Sequence, residues 1–242
     1  MKTVVIRDIH GHDSWKQIIS DQHDADRFIF VGDYFDSFSI PGVIQMHNFK
    51  EIIEFKETSD KEVVLLIGNH DFHYLPGVPY SNTSGYQTNI AFSIQALLDE
   101  NKKHLQMAYG FGDFVFSHAG ISSVFMDNVF GKDGWSYDNI VSDINELFRY
   151  KPLSFLFDGW EPHGDNLQQS CIWIRPFSLK RANYKTLRKK IIQVVGHTVQ
   201  TKIDIKGKST GGRYYFIDTL GTSREYLIIE DDKIYTRTWK QE

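Results

Sequence analysis

The chain has 242 residues, 41% hydrophobic and 14% aromatic, which predicts one globular domain over residues 1–242 and excludes a disordered chain. A formal net charge of −4 argues against a broad nucleic-acid footprint. The longest aliphatic run, residues 63–67, is far short of a membrane span, and strand-like sequence from residue 3 leaves no room for a signal peptide; both predict a cytoplasmic protein without a membrane partner.

Residues 3–6 form a short apolar run that predicts a first strand, and residues 14–20 a short helix. Strands are predicted again at 28–31 and 63–67, with helices at 43–57 and 86–100, the second carried by Ile90, Ile94, Leu97 and Leu98. This βαβαβα start predicts an α/β protein, and the lack of polar alternation in the strands predicts sheets covered on both faces. Beyond it, strands are predicted at 114–116, 191–195 and 214–217, and helices at 122–130 and 137–150. Residues 202–238 read as strands joined by tight turns at 209–212 and 230–233. Cys171 is the only cysteine, so there is no internal disulfide or thiolate cage, and any metal must be held by nitrogen and oxygen. The basic run 180–190 reads as a solvated helix face in preference to a substrate anchor. Gly207-Lys208-Ser209 resembles the end of a P-loop, but Lys202 stands where its first glycine belongs and no helix follows, so a hairpin turn explains it.

The residues after each strand carry the chemistry. They are Asp8, His10 and Gly11; Gly32 and Asp33; Gly68, Asn69, His70 and Asp71; Ser117, His118, Ala119 and Gly120; and Gly196, His197 and Thr198. Parallel strands with crossover helices share one carboxyl edge, where binding crevices form, so five such turns can converge. Asp8 and His10, two apart in extended chain, can face one side and grip one ion. Any one of these elements alone reads more readily as a turn; five in this order do not.

Together, "DIHG", "GDYFD", "GNHD", "SHAG" and "GHT" resemble the calcineurin-like metallophosphoesterase superfamily, the last two most of all its phosphoprotein-phosphatase branch. The segment "CIWIRP" at 171–176 resembles the Trp-x-Arg segment of bacterial and phage members. The resemblance implies a four-layer α/β/β/α sandwich of two mixed sheets with two metal ions at the sheet edge, manganese first, with iron, zinc or nickel as alternatives. It implies that Asp8 and His10 bind the first metal, that Asp33 bridges both, and that Asn69, His118 and His197 complete the second. A metal-bridging hydroxide is then the nucleophile and His70 the general acid, oriented by Asp36, while Arg175 and Asn69 contact the substrate phosphate. The charges agree with this: two divalent ions exceed Asp8, Asp33 and a hydroxide by about one positive charge, which suits a phosphate anion.

Departures from the family pattern narrow the reading. Arg7 stands where glycine is usual before "DIHG", and Ser37 where arginine usually follows the second aspartate of "GDYFD". Serine lacks the charged fork that arginine offers phosphate, so Arg175 is the expected substitute, with Arg7 and Arg213 behind it. Val199 stands where phosphodiesterases carry a second histidine, which favours phosphomonoesters. An insertion in Ile217-Asp218-Thr219-Leu220-Gly221 leaves Asp218 outside the expected site. Histidines 12, 23, 47, 73, 104 and 163 match no motif position and read as surface or structural, although His12 is near enough to line the pocket. The leading reading is a phosphomonoesterase acting on a phosphoprotein or a small phosphorylated metabolite. The alternatives are a hydrolase of dinucleoside polyphosphates or nucleotide ends, anchored by the 180–190 run, and a catalytically silent metal-binding module. Substrate choice is expected to lie in residues 72–85 and 131–166.

Overall fold

The computed structural model describes residues 1–79, 84–158, 165–183, 191–206, 213–219, 221–231 and 233–239. Strands β1 (Lys2–Ile6), β2 (Arg27–Phe30), β3 (Glu62–Leu66) and β4 (Leu105–Gln106) lie parallel in that order, and β9 (Glu225–Glu230) and β10 (Lys233–Thr238) extend the sheet antiparallel beyond β1. A second sheet takes the order β5 (Ala108–Phe111), β6 (Phe114–Ser117), β7 (Ile192–Val195) and β8 (Tyr214–Phe216), antiparallel at its first pair and parallel after it. Both sheets are therefore mixed.

The period-2 geometry of a strand divides its side chains between two faces. Val4, Ile6, Phe28, Phe30, Val63 and Leu65 pack with residues of helices α1 (Ser14–Asp21), α2 (Gly42–Thr58) and α4 (Ala91–Asn101). Their neighbours Val5, Ile29, Val31, Val64 and Leu66 pack against Phe116, Val194, Tyr215 and Ile217 of the second sheet or its edge. The outer face of that sheet meets α5 (Ser123–Phe130) and α6 (Ile140–Tyr150) through Val115, and α7 (Pro176–Ala182) through Tyr214. The layers are helix, sheet, sheet, helix. Burial on both faces accounts for strands without polar alternation: each such Val, Ile or Phe contributes about 1.5–3 kcal/mol on leaving water. Among the described residues, no helix is long and apolar enough to cross a membrane.

Most predicted elements appear within three residues of their expected ends, with one instructive exception. The helix expected from residue 86 begins at Ala91. The Gln87 N–H donates to the Tyr74 hydroxyl at 2.8 Å and Tyr86 stacks on Tyr74 at 4.6 Å, which holds this stretch in a turn. The turn at 230–233 joins β9 to β10 with Glu230 opposite Lys233 and Asp231 left-handed. The turn at 209–212, the P-loop look-alike at 207–209, His163 and residues 184–190 of the basic run lie outside the described residues.

Candidate active site

Backbone strain gathers where the strands end. Six non-glycine residues among those described have positive φ, and four of them are His10 (43°), Asp33 (53°), Asp36 (65°) and His197 (65°). A Cβ disfavours this region, so it persists only where surrounding bonds impose it. Here they do. The Asp33 carbonyl accepts the N–H of Ile9 at 3.1 Å and of His10 at 2.6 Å, which ties the β1 turn to the β2 turn. The buried Asp71 carboxylate accepts the N–H groups of Asp33 (2.8 Å), Tyr34 (2.7 Å) and Gly68 (2.9 Å), which ties the β2 turn to β3. Helix α3 (Asn69–Phe72) then starts directly after Gly68.

The imidazoles reveal where lone pairs point. A carbonyl oxygen only accepts, so a ring nitrogen facing one carries the hydrogen, and the opposite nitrogen of a neutral ring is bare. His10 Nδ1 donates to the Phe35 carbonyl (2.7 Å), His118 Nδ1 to Val31 (2.8 Å) and His197 Nε2 to Trp173 (3.0 Å). The remaining nitrogens turn inward together. His10 Nε2 is 3.5 Å and His118 Nε2 3.3 Å from Asp33 Oδ2. Asn69 Oδ1 lies 2.9 Å from both His118 Nε2 and His197 Nδ1, which are 3.2 Å apart. Asp8 Oδ2 accepts the His197 N–H at 2.9 Å, while its buried Oδ1 has no hydrogen-bond partner. Ligand atoms of Asp8, Asp33 and His118 all fall within 4.8 Å of one another. The carboxylate and amide oxygens and the inward nitrogens of His10 and His197 converge as buried acceptors, which is costly, and cations relieve that cost. The donor set, all nitrogen and oxygen, suits divalent transition ions. The structure thus brings all six predicted ligand residues to one locus, and the residues fit a metal centre.

Charge follows the same geometry. Burial opposes ionisation of Asp33, but His118, His70 and His10 overcome it and hold its pKa well below the usual carboxylate range. Burial and the nearby Asp218 push Asp8 upward, as expected of a carboxylate with one oxygen unpartnered. Burial lowers His10, and burial with the Arg175 charge holds His197 well below the ordinary histidine range, so both rings are neutral. Burial also disfavours a proton on His118, yet Asp33 and Asp8 push its pKa up to about 9, so a proton competes for the position a cation would take.

Beside this centre, His70 Nδ1 meets Asp36 Oδ2 at 2.9 Å, and the His70 ring stands 5.2 Å from that of His10. Burial lowers the His70 pKa, but Asp33 and Asp36 outweigh it and the net shift is upward, toward the imidazolium. His73, expected to be surface or structural, is buried at 3% exposure and brings Nε2 within 2.7 Å of the same Asp36 oxygen, off the axis of an ideal hydrogen bond. No motif flags it; its spacing three residues after His70 is the only sequence signal.

Arg175 precedes α7, partly buried, and its Nη1 donates to the His197 carbonyl and to Thr198 Oγ1, both at 3.1 Å. Burial lowers its pKa against the pull of Asp33 and Asp8, so the guanidinium lies within the field of the two central carboxylates. The same segment supplies the Trp173 carbonyl that fixes the His197 tautomer, a role its sequence did not disclose. The two alternative cations are elsewhere engaged. Arg7 is buried, donates to the Asp8 carbonyl at 2.6 Å and lies 4.4 Å above the Trp239 ring. Arg213 precedes β8, at the opposite end of the sheet from the site. Ser37 is not simply a vacated arginine position: its Oγ accepts the N–H of Ser39 (3.3 Å) and of Ile40 (3.2 Å) and closes the turn that leads to α2.

No curated protein sequence matches the chain. Among solved structures, a cold-active protein tyrosine phosphatase from a psychrophilic Shewanella species aligns with TM-score 0.66 at 18% identity, over 97% of this chain and 77% of that one. A protein serine/threonine phosphatase from Saccharomyces cerevisiae, similar to human phosphatase PP5, aligns with TM-score 0.63 at 14% identity, over 100% of this chain and 81% of that one. At such identities the likeness is one of fold. Residues 1–218 match the calcineurin-like phosphoesterases, and the chain therefore belongs to that family as a metal-dependent phosphatase.

Proposed function

We propose that the chain hydrolyses phosphomonoesters, with Asp8 and His10 holding one metal ion, Asp33 bridging to a second, and Asn69, His118 and His197 completing it. The observation that carries this reading is the convergence of the inward ring nitrogens of His10, His118 and His197 on the oxygens of Asp33 and Asn69. When bound, such ions polarise the phosphoryl group and supply an activated water, with manganese proposed first. His70, drawn against its burial toward the imidazolium by Asp33 and Asp36, donates a proton to the leaving oxygen, and Arg175 with the Asn69 amide holds the phosphate. Val199, in place of a second histidine, favours monoesters over diesters. The two solved phosphatases act, by their names, on phosphoproteins, which supports a phosphoprotein as substrate; a small phosphorylated metabolite is the second phosphomonoester proposed.

Chelation followed by reloading tests the metal. Stripped protein is expected to lose hydrolysis of 4-nitrophenyl phosphate by at least about 10³-fold, and manganese to restore it with two ions per chain. Full turnover by stripped protein, or a preference for bis(4-nitrophenyl) phosphate, sinks the reading. Arg175→Ala is expected to raise KM, and to weaken inhibition by inorganic phosphate, by about 10–100-fold, the weight of a charged hydrogen bond of about 1.5–3 kcal/mol. Metal content is expected to stay unchanged. An unaltered phosphate inhibition constant would remove Arg175 from the phosphate site.

A further inference from the structure

We propose that His73 and Tyr74 are positioning residues that clamp Asp36, and through it aim His70; this rests on the reading of His70 as the general acid. The Asp36 carboxylate is buried, on a residue with left-handed backbone, and both its oxygens are engaged. Oδ2 takes His70 Nδ1 at 2.9 Å and His73 Nε2 at 2.7 Å, while Oδ1 accepts the Tyr74 hydroxyl at 2.5 Å. The direction of the tyrosine bond is fixed, because the Gln87 N–H donates to Tyr74 Oη and leaves the phenolic hydrogen for Asp36.

The two clamping rings are themselves held. His73 meets Tyr74 edge-on at 4.5 Å, Tyr86 at 4.9 Å and His70 at 5.7 Å, and Tyr86 stacks on Tyr74. His70 lies in α3 and His73 caps it, so one turn of chain delivers both imidazoles to one oxygen. A carboxylate bonded to His70 alone would rotate about its broad terminal torsion. Three contacts on two oxygens remove that freedom and set the plane in which His70 presents Nε2. Aim matters here, because a displacement of about 1 Å at a reacting group costs about 10²-fold.

A proton donor matters most when the leaving group is poor, so paired substrates read the clamp directly. The experiment measures kcat and KM for phenyl phosphate and 4-nitrophenyl phosphate with the metal-loaded enzyme and its His73→Phe, His73→Gln, Tyr74→Phe and His70→Asn variants, alongside metal content. His73→Phe is expected to lower kcat on phenyl phosphate by about 10–100-fold and on 4-nitrophenyl phosphate by less than about 3-fold, with KM unchanged. His73→Gln, which keeps a donor, recovers most of the loss. Tyr74→Phe gives a smaller split of the same sign, and keeps the proposal testable if His73→Phe does not fold. Equal losses on both substrates would show a merely structural role and overturn the proposal. So would loss of a bound ion in His73→Phe, since Asp36, His70 and His73 have their ligand atoms within 4.8 Å and would then form a metal site. If His70→Asn shows the split and the clamp variants do not, the proposal fails and the general-acid reading stands; if His70→Asn shows none, that reading fails first and takes the proposal with it.

Discussion

Asp33→Asn is expected to cut turnover by at least about 10³-fold and to reduce bound metal below two ions per chain, without unfolding the protein. Asp33 joins the turns that follow β1, β2, β3 and β6. Its Oδ2 faces His10 and His118, its Oδ1 accepts the His70 N–H at 2.9 Å, and its main chain bonds Ile9, His10 and Asp71. Asparagine keeps the shape and every main-chain bond. With its amide nitrogen at the Oδ2 position it offers a hydrogen to His10 Nε2, but it no longer gives His118 the carboxylate that favours its imidazolium. The metal-free variant is therefore expected to melt below metal-free wild type, and to lose as well the gain that wild type shows on loading. Metal analysis and paired melting curves check this, and a variant that retains two ions and full turnover would remove Asp33 from the bridging position.

The second large effect comes from a position with no functional group. A Cβ on Gly68 would lie 2.0 Å from Asp33 Oδ1 and 2.5 Å from the Asp33 backbone nitrogen. The backbone cannot retreat, because Asp71 binds the N–H groups of both Asp33 and Gly68, so the strain falls on the Asp33 side chain. Gly68→Ala is expected to cost about 1–3 kcal/mol or more by overpacking, and to abolish metal retention by displacing Asp33. Gly131→Ala is the comparison. That glycine ends α5 with φ +79° and open space around its Cβ position, so Gly131→Ala carries a backbone penalty of about 1–3 kcal/mol but leaves metal content and turnover intact. Equal metal content in the two variants would show that the 2.0 Å approach does not govern the site.

The contrast between these glycines and the ligands explains what could be read from the chain alone. Asp8, Asp33, Asn69, His118 and His197 each follow a strand within three residues, so identifying the strands also locates the polar residues at one edge. The covered faces of the sheets follow from the same apolar runs, whereas their mixed character is implied by the family resemblance and not by the runs. What stayed hidden depends on partners distant in sequence. The Trp173 carbonyl matters only because His197, 24 residues on, turns Nε2 toward it. His73 acquires meaning only through Asp36, and the start of α4 moves only because Gln87 finds Tyr74. Ser37 shows the reverse: the missing arginine is legible, but the turn its hydroxyl closes is not.

The bond from the His197 N–H to Asp8 Oδ2 joins residues 189 positions apart and links the carboxyl ends of the two sheets. On the proposed ligand set, Asp8, His10, Asp33 and Asn69 come from the first sheet and His118 and His197 from the second, so ions that bind the completed set favour the docking of one sheet on the other, and metal binding is coupled to this long-range contact.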